Sequence, residues 1–139
     1  MIRPFDYSGI TRDAQGILRY DDLPDSLVAM LRRSVDSAPH AEAVVEVGGE
    51  RMTYQQLWDA AARIAGGLRG QGIAPGERAA IQLPNGLRWC LAFLGAQLAG
   101  AIAVPVNTRF TEAEAAYVVA DSGARFTFLP NAPLPEGPP

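Results

Sequence analysis

The spacing of apolar positions changes several times along this chain, and each change marks an element. Over residues 26–37, SLVAMLRRSVDS, the apolar Leu27, Met30, Leu31 and Val35 recur at helical spacing. Asp25 or Ser26 is placed to cap that helix, and Ala38-Pro39 ends it. The run AEAVVEVGGERMTY then breaks at Gly48-Gly49 and predicts two short strands joined as a hairpin. Helical spacing returns with Leu57, Ala61, Ile64, Ala65 and Leu68. Thr53 and Gln56 form a capping box ahead of that helix, and Gly70 and Gly72 stop it. RAAIQL, residues 78–83, reads as a short buried strand, and Pro84-Asn85-Gly86 as a turn in which Asn85 suits an N-cap. The helix from Leu87 to Ala99 carries Leu87, Cys90, Leu91, Leu94 and Leu98 on one face and Trp89, Phe93 and Ala96 on another. A helix so apolar is buried between layers. Gly100 closes it, and AIAVPV supplies a second buried strand. Thr111 and Glu114 make another capping box, opening a helix to about Asp121 that Gly123 ends; RFTFL, residues 125–129, is a third strand.

Strand, helix, strand, helix, strand in that order implies right-handed crossovers and an α/β fold, a parallel sheet with flanking helices. Residues 1–24 show no clear period and read as an N-terminal arm or loop. Residues 25–129 carry the α/β subdomain, and residues 130–139, with five prolines, read as a Pro-rich tail or truncated linker. The stretch 89–106 is uncharged over 18 positions, enough in length for a membrane span. Gly95, Gln97, Gly100 and Pro105 interrupt it, and a helix followed by a strand accounts for it better, so the chain is not read as transmembrane.

This topology points to a site. In open parallel sheets ligands bind beyond the carboxyl ends of the strands. Asn85 follows one strand there, and Asn107 and Arg109 follow the next. Arg109 stands just ahead of a helix start, where a cation has the wrong sign for the helix dipole. A guanidinium beside helix N-terminal amides is, however, a receptor for phosphate or carboxylate. Plainer roles stay open: Asn85 and Thr53 as caps, Asn107 as a turn-former, Arg109 as a solvated charge or a partner for Glu112. Cys90, Trp58 and Trp89 read as core residues and His40 as a solvated turn residue.

Composition narrows the classes. With 139 residues, 48% apolar and 19% charged, the chain is one globular unit rather than a disordered one. Its 12 basic and 15 acidic residues give a net charge of −3 without a basic cluster, which argues against a nucleic-acid partner. All the basic residues are arginines. The absence of lysine excludes Walker-type phosphate loops and Schiff-base chemistry. One histidine and one cysteine cannot build a structural zinc site, and no metal ligand set is evident. A single cysteine also excludes an intrachain disulfide and fits a reducing cytoplasm. Neither a Gly-x-Ser-x-Gly elbow nor a Gly-x-Gly-x-x-Gly fingerprint occurs, and the N-terminal MIRPFDYSGITRDAQ lacks the apolar core of a secretory signal.

Several short pieces fall in a telling order: Thr53-Tyr54-x-x-Leu57, Gly76-Glu77-Arg78 before a strand, Pro84-Asn85, and Ala99-Gly100-Ala101-x-x-x-Pro105-x-Asn107-x-Arg109. Over about residues 26–129 this arrangement resembles the N-terminal region of acyl-CoA ligases of the AMP-forming adenylating superfamily. The resemblance implies the N-terminal part of such an enzyme's large domain. These ligases activate a carboxylic acid with ATP and Mg²⁺ to an acyl-adenylate, then pass the acyl group to the thiol of CoA. Their Ser/Thr/Gly-rich phosphate loop, catalytic lysine and mobile C-terminal domain do not occur within these 139 residues, so the resemblance implies a portion of a ligase with no catalytic residue of its own and with none of ATP, Mg²⁺ and CoA firmly bound by this chain alone. It further implies that Arg109, with Asn107 beside it, contacts a CoA nucleotide phosphate. The family's usual Asn-Pro-Arg stands here as Asn107-Thr108-Arg109, which leaves that loop less preset.

Two other readings compete. An amino-acid adenylation domain feeding a carrier protein would carry Pro-Leu-Asp-Pro-like residues after the Ala-Gly segment, not Pro105-Val106-Asn107-Thr108-Arg109. A non-catalytic nucleotide-binding or interaction module using the same fold is the third. On any of them, the many-sided apolarity of helix 87–99 predicts a homodimer or a missing C-terminal partner to cover it.

Overall fold

The computed structural model describes residues 6–139. Among them the chain runs β1 (Ile10–Arg12), β2 (Leu18–Tyr20), α1 (Leu27–Ser37), β3 (Glu42–Val45), β4 (Arg51–Thr53), α2 (Tyr54–Gly70), β5 (Arg78–Ile81), α3 (Leu87–Leu98), β6 (Ile102–Pro105), α4 (Glu112–Ser122) and β7 (Phe126–Phe128). The centre is a three-stranded parallel sheet in the order β6-β5-β7. From β5 the chain crosses through α3 to β6 on one side. From β6 it crosses back through α4 to β7 on the other.

The two crossover helices lie on opposite faces, and the period-2 alternation of β5 shows it. Ala79 and Ile81 pack into the main core with α1, α2 and α3, whereas Ala80 packs with Ala115, Val118 and Val119 of α4. The largest fully buried side chains, Ile64, Leu68 and Ile81, lie on α2 and β5. Leu57, Ala61, Ile64, Ala65 and Leu68 are all buried, so the apolar spacing read from the sequence faces the core. Arg78 fastens the far face by donating from Nε to Ser122 O at 2.8 Å and from a terminal nitrogen to Gly123 O at 3.1 Å.

Local capping accounts for most helix boundaries. Ser26 Oγ accepts from Ala29 N at 3.1 Å. Reciprocal capping boxes join Thr53 to Gln56 and Thr111 to Glu114. Gly123, left-handed at φ 62°, ends α4.

Three expectations need correction. Residues 6–24 are not plain loop: β1 and β2 form an antiparallel hairpin closed by Gly16, and Asp13 Oδ1 accepts from the Gln15 and Ile17 amides. Nearly all of its side chains are exposed, so there was no apolar alternation to read. Asn85 does not cap α3. The N-cap is Gly86, and the Leu87 amide donates instead to Glu46 Oε1 at 2.9 Å, from the β3–β4 turn. The buried face of α3 is also not either predicted face. It is Leu87, Leu91, Ala92, Gly95 and Ala96, because the small residues let α2 approach closely; Trp89, Cys90, Phe93, Leu94 and Leu98 are half-buried flanks. The uncharged stretch 89–106 does divide into the end of α3 and strand β6, and no helix among the described residues is long and apolar enough to cross a membrane.

Candidate functional site

Adjacent parallel strands whose connections leave toward opposite faces open a crevice at their carboxyl ends. β5 and β6 are such a pair. At their exits lies a cleft of about 550 Å³. One wall is Leu83, Pro84, Asn85 and Trp89, running from the strand exit into the first turn of α3. The other is Pro105 to Arg109, leading from β6 toward α4. The floor is held in register by Val106 N donating to Ile81 O at 3.0 Å and Gln82 N donating to Phe128 O at 3.0 Å.

The loop that carries the arginine is built by Asn107. Its Oδ1 accepts from Arg109 N at 2.9 Å, and its carbonyl accepts from Phe110 N at 3.2 Å. The side-chain bond is an Asx turn, which replaces the preset that a proline at position 108 would give. The turn-forming role of Asn107 is therefore observed, and it leaves the carboxamide N–H groups as donors.

Arg109 differs from the other arginines. Among the described residues it is the sole arginine whose guanidinium has neither a hydrogen-bond nor an ion-pair partner. Arg12, Arg19, Arg32, Arg33, Arg51, Arg63, Arg69, Arg78, Arg88 and Arg125 each have one. The pairing with Glu112 that the sequence left open does not form among the described ion pairs. The cleft lining thus holds one cation, two carboxamides and no acidic side chain.

Both helix N-termini at the cleft already hold a carboxylate of this chain. Glu46 takes the first amide of α3. At α4, Glu114 Oε2 accepts from Thr111 N at 2.8 Å and from Thr111 Oγ1 at 2.9 Å. These bonds, the backbone one first, hold the Glu114 carboxyl below its ordinary value of 4.5. A carboxylate of this chain therefore already sits at the helix end that the sequence offered as half of an anion receptor. The positive character of the cleft rests on the Arg109 guanidinium.

Trp89 packs against the main core, as the sequence places it, and also enters the cleft wall. Its ring stacks on Phe93 with centroids 5.3 Å apart and planes 9° from parallel, and its half-buried edge lines the opening. Cys90, one residue on, is half-buried, and burial with the nearby Glu46 charge pushes its thiol above the ordinary value. That is the inert state expected of a core cysteine. His40 and Trp58 lie away from the cleft; Trp58 carries the Arg32 guanidinium 5.2 Å above its ring.

An open parallel sheet with a switch-point cleft defines the class as an α/β module of the kind that takes ligands at the carboxyl ends of its strands. Comparison with known proteins narrows it. The profile of the AMP-binding enzyme family matches residues 31–137, and the chain belongs to that family. It is 40% identical over 108 residues to the long-chain-fatty-acid–CoA ligase FadD13 of Mycobacterium tuberculosis, a match covering 76% of this chain and 22% of the relative. It is 40% identical over 92 residues to a feruloyl-CoA synthase of Amycolatopsis sp, covering 66% of this chain and 18% of the relative. Among solved structures, a fatty acyl CoA synthetase of Mycobacterium tuberculosis superposes with a TM-score of 0.68 at 40% identity, over 72% of this chain and 20% of that one. The chain thus spans about a fifth of the length of the relatives it matches. Its fold is that of the N-terminal part of adenylate-forming enzymes.

Proposed function

We propose that this chain is the N-terminal portion of an ATP-dependent acid–CoA ligase, and that its cleft receives a phosphate of the CoA nucleotide. The observation that carries this reading is Arg109: a guanidinium without an internal partner, set by an Asx turn at the exit of β6, in a cleft without acidic side chains. A guanidinium forks two parallel N–H bonds onto a phosphate, and the Asn107 and Asn85 carboxamides offer further donors. The names of relatives on which FadD13 and feruloyl-CoA synthase agree supply the acceptor, CoA.

On this reading the acid's carboxylate attacks the α-phosphorus of ATP with loss of pyrophosphate, and the CoA thiol then displaces AMP from the acyl carbon. The residues that stabilise those steps lie outside these 139 residues, which hold no lysine and no Ser/Thr/Gly-rich phosphate loop. ATP and Mg²⁺ are held by those other segments, which also shape the pocket for the carboxylic acid. The contribution of this chain is a scaffold and one anion contact. The exposed apolar side chains of Phe110, just ahead of α4, and Tyr117, on it, are covered by the remainder of the ligase. Such an enzyme works in the cytoplasm, where a lone reduced cysteine is at home.

The test measures the two half-reactions separately in the ligase that carries this segment. Arg109→Ala weakens the CoA dependence of thioester formation by roughly 10- to 150-fold, the equivalent of about 1.5–3 kcal/mol for a charge-assisted bond. Adenylate formation survives. Arg109→Lys recovers part of the loss, because the planar fork is gone. An unchanged CoA dependence, or an equal loss in adenylation, returns Arg109 to a plain surface charge.

A further inference from the structure

The proline-rich segment after β7 has no regular structure, yet it is not loose. Arg88, in the first turn of α3, donates to Pro130 O at 2.8 Å and to Ala132 O at 2.6 Å. Leu134 packs against the main core, and Pro135 is buried. Gly137 N donates to Arg63 O on α2 at 3.0 Å, and Arg63 pairs with Glu136 at 3.9 Å. Each of these contacts joins the segment to a helix far away in sequence.

The fit depends on two consecutive glycines inside α2. A Cβ on Gly66 would collide with the Pro138 carbonyl, 2.7 Å from its carbon. A Cβ on Gly67 would lie 2.5 Å from the Pro135 carbonyl carbon and 2.6 Å from Glu136 N. Glycine is a poor choice in the interior of a helix, so two in a row need a reason. Here the backbone of residues 135–138 runs directly over them. By contrast, Gly70 at the end of the same helix has open space beside it.

We propose that the Gly66–Gly67 notch of α2, together with Arg88, is a docking track for an extended proline-rich strand, and that its occupant is this chain's own segment 130–138. Prolines suit the track because they lack the N–H groups that a buried, unpaired strand would leave unsatisfied. The docked strap ties α2 to the first turn of α3, the turn that carries Trp89 and the cleft wall. It therefore positions that wall without touching a ligand, and it does so independently of what the cleft binds.

The test uses the whole chain and two readouts. The first is amide exchange at Gly137, whose N–H is protected only when the strap is seated. Gly66→Ala and Gly67→Ala each speed that exchange at least tenfold, and Gly70→Ala leaves it unchanged. The second is the sign of the change in Tm. Alanine is the better helix former, so without a strap all three substitutions raise Tm. With the strap seated, Gly66→Ala and Gly67→Ala lower it and Gly70→Ala raises it. Leu134→Asp, which leaves α2 intact, also frees Gly137, and adding Gly66→Ala to it then raises Tm. If a glycine variant fails to fold, Leu134→Asp carries the test alone. Less than a tenfold change in Gly137 exchange in the folded variants overturns the proposal.

Discussion

Removing the Glu46 carboxylate cuts the link between the β3–β4 turn and the cleft. Glu46 is fixed by its own backbone, with its N–H on Glu50 O at 2.9 Å and its carbonyl accepting from Gly49 N at 3.1 Å. From there it reaches 41 residues along the chain to the Leu87 amide. Glu46→Ala leaves the first amide of α3 without an acceptor, because Gly86 offers no side chain and Asn85 does not cap. Loss of an N-cap costs about 0.5–2 kcal/mol. A hydrogen bond to a charged acceptor is worth about 1.5–3 kcal/mol, reduced here because the carboxylate is half-exposed. We expect a loss of about 1–2 kcal/mol, which for a chain of this size lowers Tm by roughly 3–7 °C. Glu46→Gln keeps an oxygen acceptor but not the charge, and should lose about half as much. Thermal unfolding followed by circular dichroism measures the shift, and hydrogen exchange at the Leu87 amide localises it. An Ala variant with unchanged Tm and unchanged protection at Leu87 would refute the idea that a distant carboxylate caps this helix.

Three further outcomes follow from the geometry. Thr111→Ala should cost about 0.5–2 kcal/mol in urea unfolding. Because the Glu114 carboxyl is held below its ordinary value of 4.5, its contribution is present above that value and fades as pH falls through the lower folded value. Glu114→Gln should therefore flatten the acid limb of the stability profile below about pH 4.5, and an unaltered limb would contradict the capping box. Gly95→Ala should destabilise despite the better helix former. Its Cβ would sit 2.7 Å from Ile64 Cβ, so overpacking of about 1–3 kcal/mol outweighs a propensity gain of about 1 kcal/mol, whereas a rise in Tm would show that α2 and α3 can part.

Much of this fold was legible because its signals are local. The capping boxes at Thr53–Gln56 and Thr111–Glu114 span three residues, and the left-handed Gly123 needs only its own position. The three central strands announced themselves as short apolar runs between helical patterns, and their order implied the switch point. What could not be read joins residues far apart. Glu46 to Leu87, Arg78 to Ser122 and Arg88 to Pro130 are spanned by 41 to 44 positions, and no spacing rule connects them. The β1–β2 hairpin escaped because a strand exposed on both faces has no hydrophobic period. At the cleft, Asn107 and Arg109 were visible from the strand-exit argument. The carboxylate at each helix end was not, since it depends on where Glu46 and Glu114 point. The core reading of Trp89 holds, but its second role at the cleft wall was hidden, because an aromatic among apolar neighbours reads as core alone. Its place in the first turn after Pro84-Asn85-Gly86 was the signal that could have assigned it to the cleft.

The central claim is that Arg109 is held open to receive a phosphate, and direct titration of the ligase that carries this segment tests it. The probe is 3′,5′-ADP, which carries the adenosine 3′-phosphate and the inner 5′-phosphate of CoA without the pantetheine arm, followed by calorimetry at low and at moderate salt. The account predicts saturable binding that weakens with salt, and a dissociation constant raised roughly 10- to 150-fold by Arg109→Ala, with Tm of the free variant unchanged. Binding of equal strength in the wild-type ligase and in Arg109→Ala would contradict it.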